Sequence, residues 1–262
     1  MKYKALIFDY GGTIDSPGIH WSQLLLSAYQ QHHIPVTPEQ FREAYVHVER
    51  TLGRYDIIQP NFTFRKTLAV KLQRQMEYLS HFEAPTATPN PTASPNPSEG
   101  RGGVNGLLVR SPLLSEGLGE AVGILDTLYT ATRQITRHNR DVLEQLRRHY
   151  PLVLVSNFYG NLNTVLREFH LDHLFTLVVE SAQVNIRKPD PAIYQYAVDR
   201  IGLPADELLV VGDSIKNDIL PAHSVGCHTA WLTAKDDTAG DVPCNYKIKT
   251  LDQLPDLLIS AP

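Results

Sequence analysis

The sequence predicts an α/β protein: a parallel sheet wrapped by helices and interrupted, after its first strand, by a helical insert. Three observations carry this. From residue 139 to 231, short apolar runs alternate with helical patterns, the signature of βαβ units. One further apolar run, YKALIFD at residues 3–9, stands alone near the start. Residues 10–151 separate it from the next such run, too many for one crossover connection, and their patterning is helical.

Taken in order, residues 3–9 form a run that ends on an acid and meets Gly11 and Gly12, as expected of a buried strand entering a tight turn. The insert, residues 17–135, opens with Trp21, Leu24, Leu25, Ala28 and Tyr29 on one helical face. Thr37-Pro38-Glu39 reads as a helix start with proline at the first helical position, followed by Phe41, Ala44, Tyr45 and Val48. Phe64 to Leu79 gives a third helix and Glu120 to Thr132 a fourth. Residues 84–106 hold five prolines and four glycines with almost no apolar bulk, so this segment is expected to be a disordered loop. A helix over Asp141–His149 then leads into strands at Leu152–Ser156, Leu174–Glu180, Leu208–Gly212 and 228–232. The expected division is a core of residues 1–16 and 136–262 with a helical cap of residues 17–135.

Composition narrows the function. The 262 residues are 42% hydrophobic and 20% charged, ordinary globular proportions that exclude wholesale disorder. A net charge of −4 gives no general attraction to polyanions, so nucleic acid is not expected as a partner. No apolar run approaches the ~20 residues that span a bilayer, and Met1–Tyr3 does not begin a secretory signal, so no membrane partner is expected. Two cysteines, Cys227 and Cys244, exclude a disulfide scaffold and fit a reducing, cytoplasmic setting. Cys227 reads as a buried small hydrophobe. The sequence carries no signal for an oligomeric state.

Ligands of open α/β sheets bind beyond the carboxyl ends of the strands. Four polar clusters sit there: Asp9-Tyr10-Gly11-Gly12-Thr13, Ser156-Asn157, Arg187-Lys188-Pro189-Asp190-Pro191, and Gly212-Asp213-Ser214-Ile215-Lys216-Asn217-Asp218. A single strand-end Asp is as often a turn former, but four clusters in this order make coincidence improbable. In these motifs the sequence resembles the haloacid dehalogenase (HAD) superfamily of hydrolases, over residues 3–15 and 137–232, with the insert matching the family's helical cap. The resemblance implies a Rossmann-like core and a route through an aspartyl-phosphate, with Asp9 as nucleophile.

The chemistry of the residues points the same way. Asp9, Asp213 and Asp218 offer hard oxygen ligands without a His/Cys cluster, the donor set of Mg²⁺ rather than zinc. The Gly11 carbonyl is a further oxygen donor. Lys188 supplies a fixed positive charge, while Gly11, Gly12, Ser156 and Asn157 are expected to surround the transferring phosphate. The expected activity is Mg²⁺-dependent hydrolysis of a small phosphorylated metabolite, with Asp9 and Lys188 catalytic.

One position departs from the family's phosphatases. They usually carry a second Asp, the general acid/base, where this chain has Gly11. Losing such a catalyst typically costs about 10²–10⁴-fold in rate. Three readings follow: a substrate with a good leaving group or another proton donor, a different reaction such as phosphonate hydrolysis, or a weak or non-catalytic ligand-binding relative. The intact Asp213/Asp218 pair argues against a dehalogenase. A phosphonate hydrolase would need a cap lysine for a Schiff base, and Lys66 and Lys71 read instead as solvated surface. Asp15 reads as a turn or cap residue, His20 as a surface histidine, and Tyr10 as core packing. Tyr159 is read first as ordinary packing, with the substrate pocket as the alternative. Arg133, Arg137, Arg140, Arg147 and Arg148 read as a solvated helix face.

Overall fold

The computed structural model describes residues 2–82, 113–234 and 242–259. Its centre is a six-stranded parallel sheet, in the order β3-β2-β1-β4-β5-β6. The strands are β1 (Ala5–Phe8), β2 (Leu152–Ser156), β3 (Phe175–Glu180), β4 (Leu208–Gly212), β5 (His228–Leu232) and β6 (Tyr246–Ile248). The order reverses direction between β1 and β4, and such a reversal leaves a crevice at the carboxyl ends.

The strands are apolar throughout because both faces are covered. Leu6, Phe8, Leu152, Leu154, Leu209 and Val211 point to one face, and Ala5, Ile7, Val153, Val155, Leu208 and Val210 to the other. This is the two-residue period of a strand. On the first face lie α4 (Leu113–Arg147), α5 (Leu162–Glu168) and α9 (Gln253–Leu258), and on the second α7 (Ala192–Ile201) and α8 (Leu220–Ser224). A short α6 (Ser181–Val184) follows β3 directly.

Between β1 and β2 come α1 (Trp21–Gln31), α2 (Pro38–Arg54), α3 (Phe64–Leu79) and α4. The second of these starts as its sequence requires: Thr37 caps the Gln40 N–H, the Gln40 side chain returns the bond to the Thr37 N–H, and Pro38 takes the first turn. Leu25, Tyr29, Phe41, Phe64, Leu68, Leu72, Ile124 and Leu128 bury together, and this cluster is continuous with the first face of the sheet.

The structure differs from the sequence expectation in three places. β1 is shorter than residues 3–9, and β6 was not anticipated. The two helices expected over 120–132 and 141–149 are one helix, α4, so the expected break between residues 135 and 136 falls inside it. The buried stripe of α4 passes through Thr132, Thr136 and Asn139 before it returns to Leu143 and Leu146, and these polar members hide the helical period from a reading of apolar residues. The proline-rich segment 84–106 lies outside the described residues. Among those described, no helix is long and apolar enough to cross a membrane.

Asn139 ties this helix to the chain after β1: its side-chain amide donates to the Ile14 carbonyl at 2.8 Å, and the bond is buried. Asn139→Ala strands that carbonyl without a donor. A loss of about 1–3 kcal/mol in urea unfolding is expected, with Asn139→Asp a weaker substitute because it offers no N–H.

Candidate active site

The register of the sheet builds the site. Phe8 lies beside Val211, and the Asp9 N–H donates to the Val211 carbonyl at 3.0 Å, so the chain leaves β1 and β4 side by side. Asp9 and Asp213 emerge next to one another from these strand ends. Two glycines permit the approach. Gly12 has φ +98°, and a Cβ there would lie 2.6 Å from the Asp213 carboxylate; a Cβ on Gly212 would lie 2.4 Å from Asp218 Cβ.

Lys188 arrives on the loop between α6 and α7 and is buried. Its Nζ donates to Asp9 Oδ1 at 2.6 Å and to Asp218 Oδ1 at 2.7 Å. Asp218 also accepts from the Tyr194 hydroxyl at 2.9 Å and from the Ser214 N–H at 3.0 Å. Trp231 donates its indole N–H to the Asp213 carbonyl at 2.9 Å. Asp9, Asp213 and Asp218 each place a carboxylate oxygen within 4.8 Å of the others.

Three carboxylates thus face one ammonium, leaving two negative charges uncompensated in a partly buried cluster. The pKa values register the excess. Burial, with Asp218 and Asp9 beside it, pushes Asp213 up to about 9. Burial raises Asp9 to about 6 against the pull of Lys188. Burial also drives the Lys188 pKa down, but Asp218 and Asp9 outweigh it and the net direction is upward. A divalent cation is the natural counterion for such a cluster, and its all-oxygen donors suit a hard one.

This cluster forms one wall of a cleft at the carboxyl ends of the strands. The insert supplies the other wall through Trp21, Tyr45, Glu49, Phe64 and Lys71, and Tyr159 joins it from the loop after β2.

With this arrangement established, comparison with known proteins is informative. The sequence profile of the haloacid dehalogenase-like hydrolases matches residues 3–226. This chain belongs to the haloacid dehalogenase-like hydrolase family. It is 38% identical over 104 residues to haloacid dehalogenase-like hydrolase domain-containing protein 3 of Danio rerio, covering 39% of this chain and 43% of the relative. It is 41% identical over 96 residues to a phosphoglycolate phosphatase of Aliivibrio fischeri, covering 36% of this chain and 42% of the relative. The chain therefore matches less than half the length of these curated relatives. Among solved structures, a magnesium-bound HAD hydrolase, YfnB from Bacillus subtilis, aligns with a TM-score of 0.52 over 98% of this chain and 99% of its own. At 17% identity that likeness shows the fold alone.

Within this hydrolase, several residues take places that differ from the sequence expectation. Asn157, expected at the phosphate, commits its side-chain amide to Lys188: Nδ2 donates to the Lys188 carbonyl at 3.0 Å and Oδ1 accepts the Lys188 N–H at 2.9 Å. It positions the lysine. Gly12, also expected at the phosphate, spends its N–H on Asp15 Oδ1 at 2.7 Å and its carbonyl on the Ser16 hydroxyl at 2.8 Å. Its place is set by the close approach to Asp213. Asp218, expected among the metal ligands, does sit in the carboxylate cluster with Asp9 and Asp213, and its oxygens also accept from Lys188, Tyr194 and the Ser214 N–H. Gly11, Ser156 and Asn157 all line the cleft.

Lys71 is not solvated surface. It is buried, lines the cleft, and sits 2.5 Å from Glu49 Oε1, while Lys66 is exposed. Burial lowers the Lys71 pKa, but Glu49 and Tyr45 more than reverse this, so Lys71 is an ammonium at neutral pH and not the free amine of a Schiff-base catalyst. Tyr159 lines the cleft rather than merely packing, and donates to Glu49 Oε2 at 2.5 Å. Asp15 does hold the turn through Gly12, and its other oxygen accepts from the Trp21 indole at 2.8 Å. Burial raises Asp15 to about 7. His20 is exposed, as expected, but at the edge of the cleft, where it caps α1. Tyr10 is fully buried, edge-on to Phe158. Cys227 is buried, and burial pushes its thiol up to about 12.

Glu49 and Tyr194 were not anticipated. Tyr194 lies just beyond the Lys188-Pro189-Asp190-Pro191 cluster, and its position two residues into α7 was the available clue. Glu49 follows a buried residue of an amphipathic helix and looks like any solvated acid.

The raised carboxylates have a consequence for the metal-free protein. Folded Asp213 keeps its proton up to about pH 9, whereas an unfolded Asp releases it near pH ~3.9. Between those values the folded state binds more protons, so stability is greatest at the acid end and falls as pH rises. Thermal melts in chelator should show Tm declining from pH 6 to pH 9, and Asp213→Asn should flatten that decline. An Asp213→Asn protein with the same slope as the native one contradicts the assignment.

Proposed function

We propose that this hydrolase is a Mg²⁺-dependent phosphatase of small phosphorylated metabolites, with Asp9 as its nucleophile. The observation that carries this reading is the tether on Asp9. Lys188 fixes Oδ1 at 2.6 Å, while Oδ2, which has a long 3.5 Å contact from the Thr13 hydroxyl, is not held by the lysine, and Asp9 lines the cleft. A phosphatase among the chain's relatives supports the reaction class. The two free cysteine thiols fit a reducing, cytoplasmic compartment.

Asp9, the Gly11 carbonyl and Asp213 would hold the ion, with Asp218 at its side. When bound, Mg²⁺ neutralises the excess charge of the cluster and the charge on the phosphate oxygens. Lys188 adds a positive charge at the attacking carboxylate, and the Ser156 hydroxyl, which has no protein partner among the described residues, donates to a phosphate oxygen. Asp9 Oδ2 attacks phosphorus as the bond to the leaving oxygen breaks and its electron pair departs with that oxygen. Water then attacks the aspartyl-phosphate, releasing inorganic phosphate and restoring the carboxylate.

Proton transfer is where this site differs. A Cβ on Gly11 would meet only Trp21 Cδ1, at 3.8 Å, so the place of the usual acid is open space. Asp15 does not fill it, since both of its oxygens accept N–H bonds from Gly12 and Trp21. Water in that space gives the leaving oxygen its proton, and a leaving group that needs little protonation is favoured.

In Mg²⁺, an aryl phosphate should be cleaved at least about 10²-fold faster than an alkyl phosphate. Gly11→Asp, for which the space exists, should raise alkyl phosphate turnover about tenfold or more while changing the aryl rate little. Efficient native hydrolysis of an alkyl phosphate with no gain in Gly11→Asp would show that another group supplies the proton.

Asp9→Asn should abolish phosphate release while Mg²⁺ still raises Tm. Native activity in that variant would remove Asp9 as nucleophile. The open space at Gly11 also favours a second reading, a ligand-binding relative without turnover. Ligand-induced stabilisation with no phosphate release from any ester would establish it.

A further inference from the structure

The cleft wall contributed by the insert holds an ion pair that the proposed reaction does not use. Lys71 of α3 and Glu49 of α2 lie 2.5 Å apart, with side chains 11% and 20% exposed. The Tyr159 hydroxyl bonds Glu49 Oε2, and the Lys71 ammonium lies 5.5 Å and 6.0 Å from the ring centres of Tyr159 and Tyr45. Burial raises the Glu49 pKa, but Lys71 and Tyr159 outweigh it and hold the acid below its ordinary value. Both partners are therefore charged.

Such a pair is a poor device for stability. Removing two charges from water costs several kcal/mol per ion, and an apolar pair of similar size often serves the fold as well or better. The pair also keeps unused capacity. Lys71 has three N–H donors and Glu49 as its ion-pair partner, and Glu49 Oε2, which accepts from the Tyr159 hydroxyl, has lone-pair capacity for a further donor. A donor and an acceptor with spare valences thus stand together on a wall of the cleft.

We propose that Glu49 and Lys71 form a specificity site that accepts a neutral hydroxyl-bearing group of the substrate and rejects a carboxylate. A hydroxyl both accepts from Lys71 and donates to Glu49, so it satisfies the two residues at once. A carboxylate accepts only, and it brings a negative charge against Glu49 where Lys71 is already neutralised. Arg187, on the loop just before Lys188, is a further cation acting on Glu49 and Tyr159, but it is solvent-exposed, where ions screen its charge. The inference rests on the phosphatase reading, with the phosphate placed at Asp9. It sets this chain apart from enzymes whose substrate carries a carboxylate.

The test uses the full chain in Mg²⁺ and two non-hydrolysable ligands, 4-(hydroxymethyl)phenylphosphonate and 4-carboxyphenylphosphonate, with affinities read by calorimetry. The native protein should bind the hydroxymethyl ligand about tenfold or more tightly. Glu49→Gln, which frees the charge of Lys71, should move the ratio about tenfold toward the carboxylate. Lys71→Gln should move it the other way, and the double variant, whose neutral pair also guards against misfolding of either single variant, should bring the ratio toward unity. A structural role would weaken both ligands alike and leave the ratio fixed. A ratio within twofold of native in all variants that fold, a native preference for the carboxylate, or loss of that preference in Arg187→Gln alone overturns the proposal. Phenyl phosphate turnover by the same samples tests the phosphatase reading separately, because binding of the phosphonates requires no chemistry.

Discussion

A buried lysine between two carboxylates organises this molecule. Lys188 holds Asp9 and Asp218 at hydrogen-bond distance, in surroundings where an unpaired charge is costly. Each element around it answers that requirement. Asn157 clamps the backbone of the lysine from the end of β2, Tyr194 and the Ser214 N–H complete Asp218, and Gly212 leaves room for that acid against β4. Four segments distant in sequence are thereby fixed to one point, the crevice where the sheet reverses its order. Removing one partner of such an arrangement strands a charge, at a cost of about 3–5 kcal/mol. The same constraint holds Asp9, the proposed nucleophile, in place.

Asp213 stands outside that balance. It gains no ammonium of its own, and Trp231 grips only its backbone carbonyl. The result is a carboxylate cluster whose excess negative charge the protein's own cations do not match. The opposite wall follows another principle. There, charges are matched within the protein, and aromatic rings surround them. One wall carries an excess of negative charge, the other a charge pair matched within itself and flanked by aromatic rings.

The parts of this design visible in the sequence are those with a local signature. The strands at Leu152–Ser156 and Leu208–Gly212 were legible because buried parallel strands are uninterrupted apolar runs, and Thr37-Pro38 announced α2 because helix starts depend on neighbouring residues. Asp9 and Asp213 directly follow strands, and Lys188 and Asp218 lie in the polar stretches beyond them, on the side where the α/β architecture puts ligands. What escaped detection depends on contacts between distant segments. Asn157 looked like a substrate ligand until its bonds to Lys188 were seen, 31 residues away. Lys71 carried the surface prior of any helical lysine, and only the packing of α2 against α3 brings Glu49 to it. The continuity of α4 was hidden because threonine and asparagine occupy its buried stripe.

That continuity has a mechanical meaning. At 35 residues, α4 is about 50 Å long, and it is shared: its middle packs with α1 and α3, and its end lies on the sheet. A helix resists bending far more than a loop does. The two walls of the cleft are therefore joined on one side by a stiff strut and on the other by the short passage from Ser16 to His20. Trp21 sits where that passage ends, its indole bonded to Asp15 on the near side at 2.8 Å, so a single hydrogen bond spans the short connection that faces the strut.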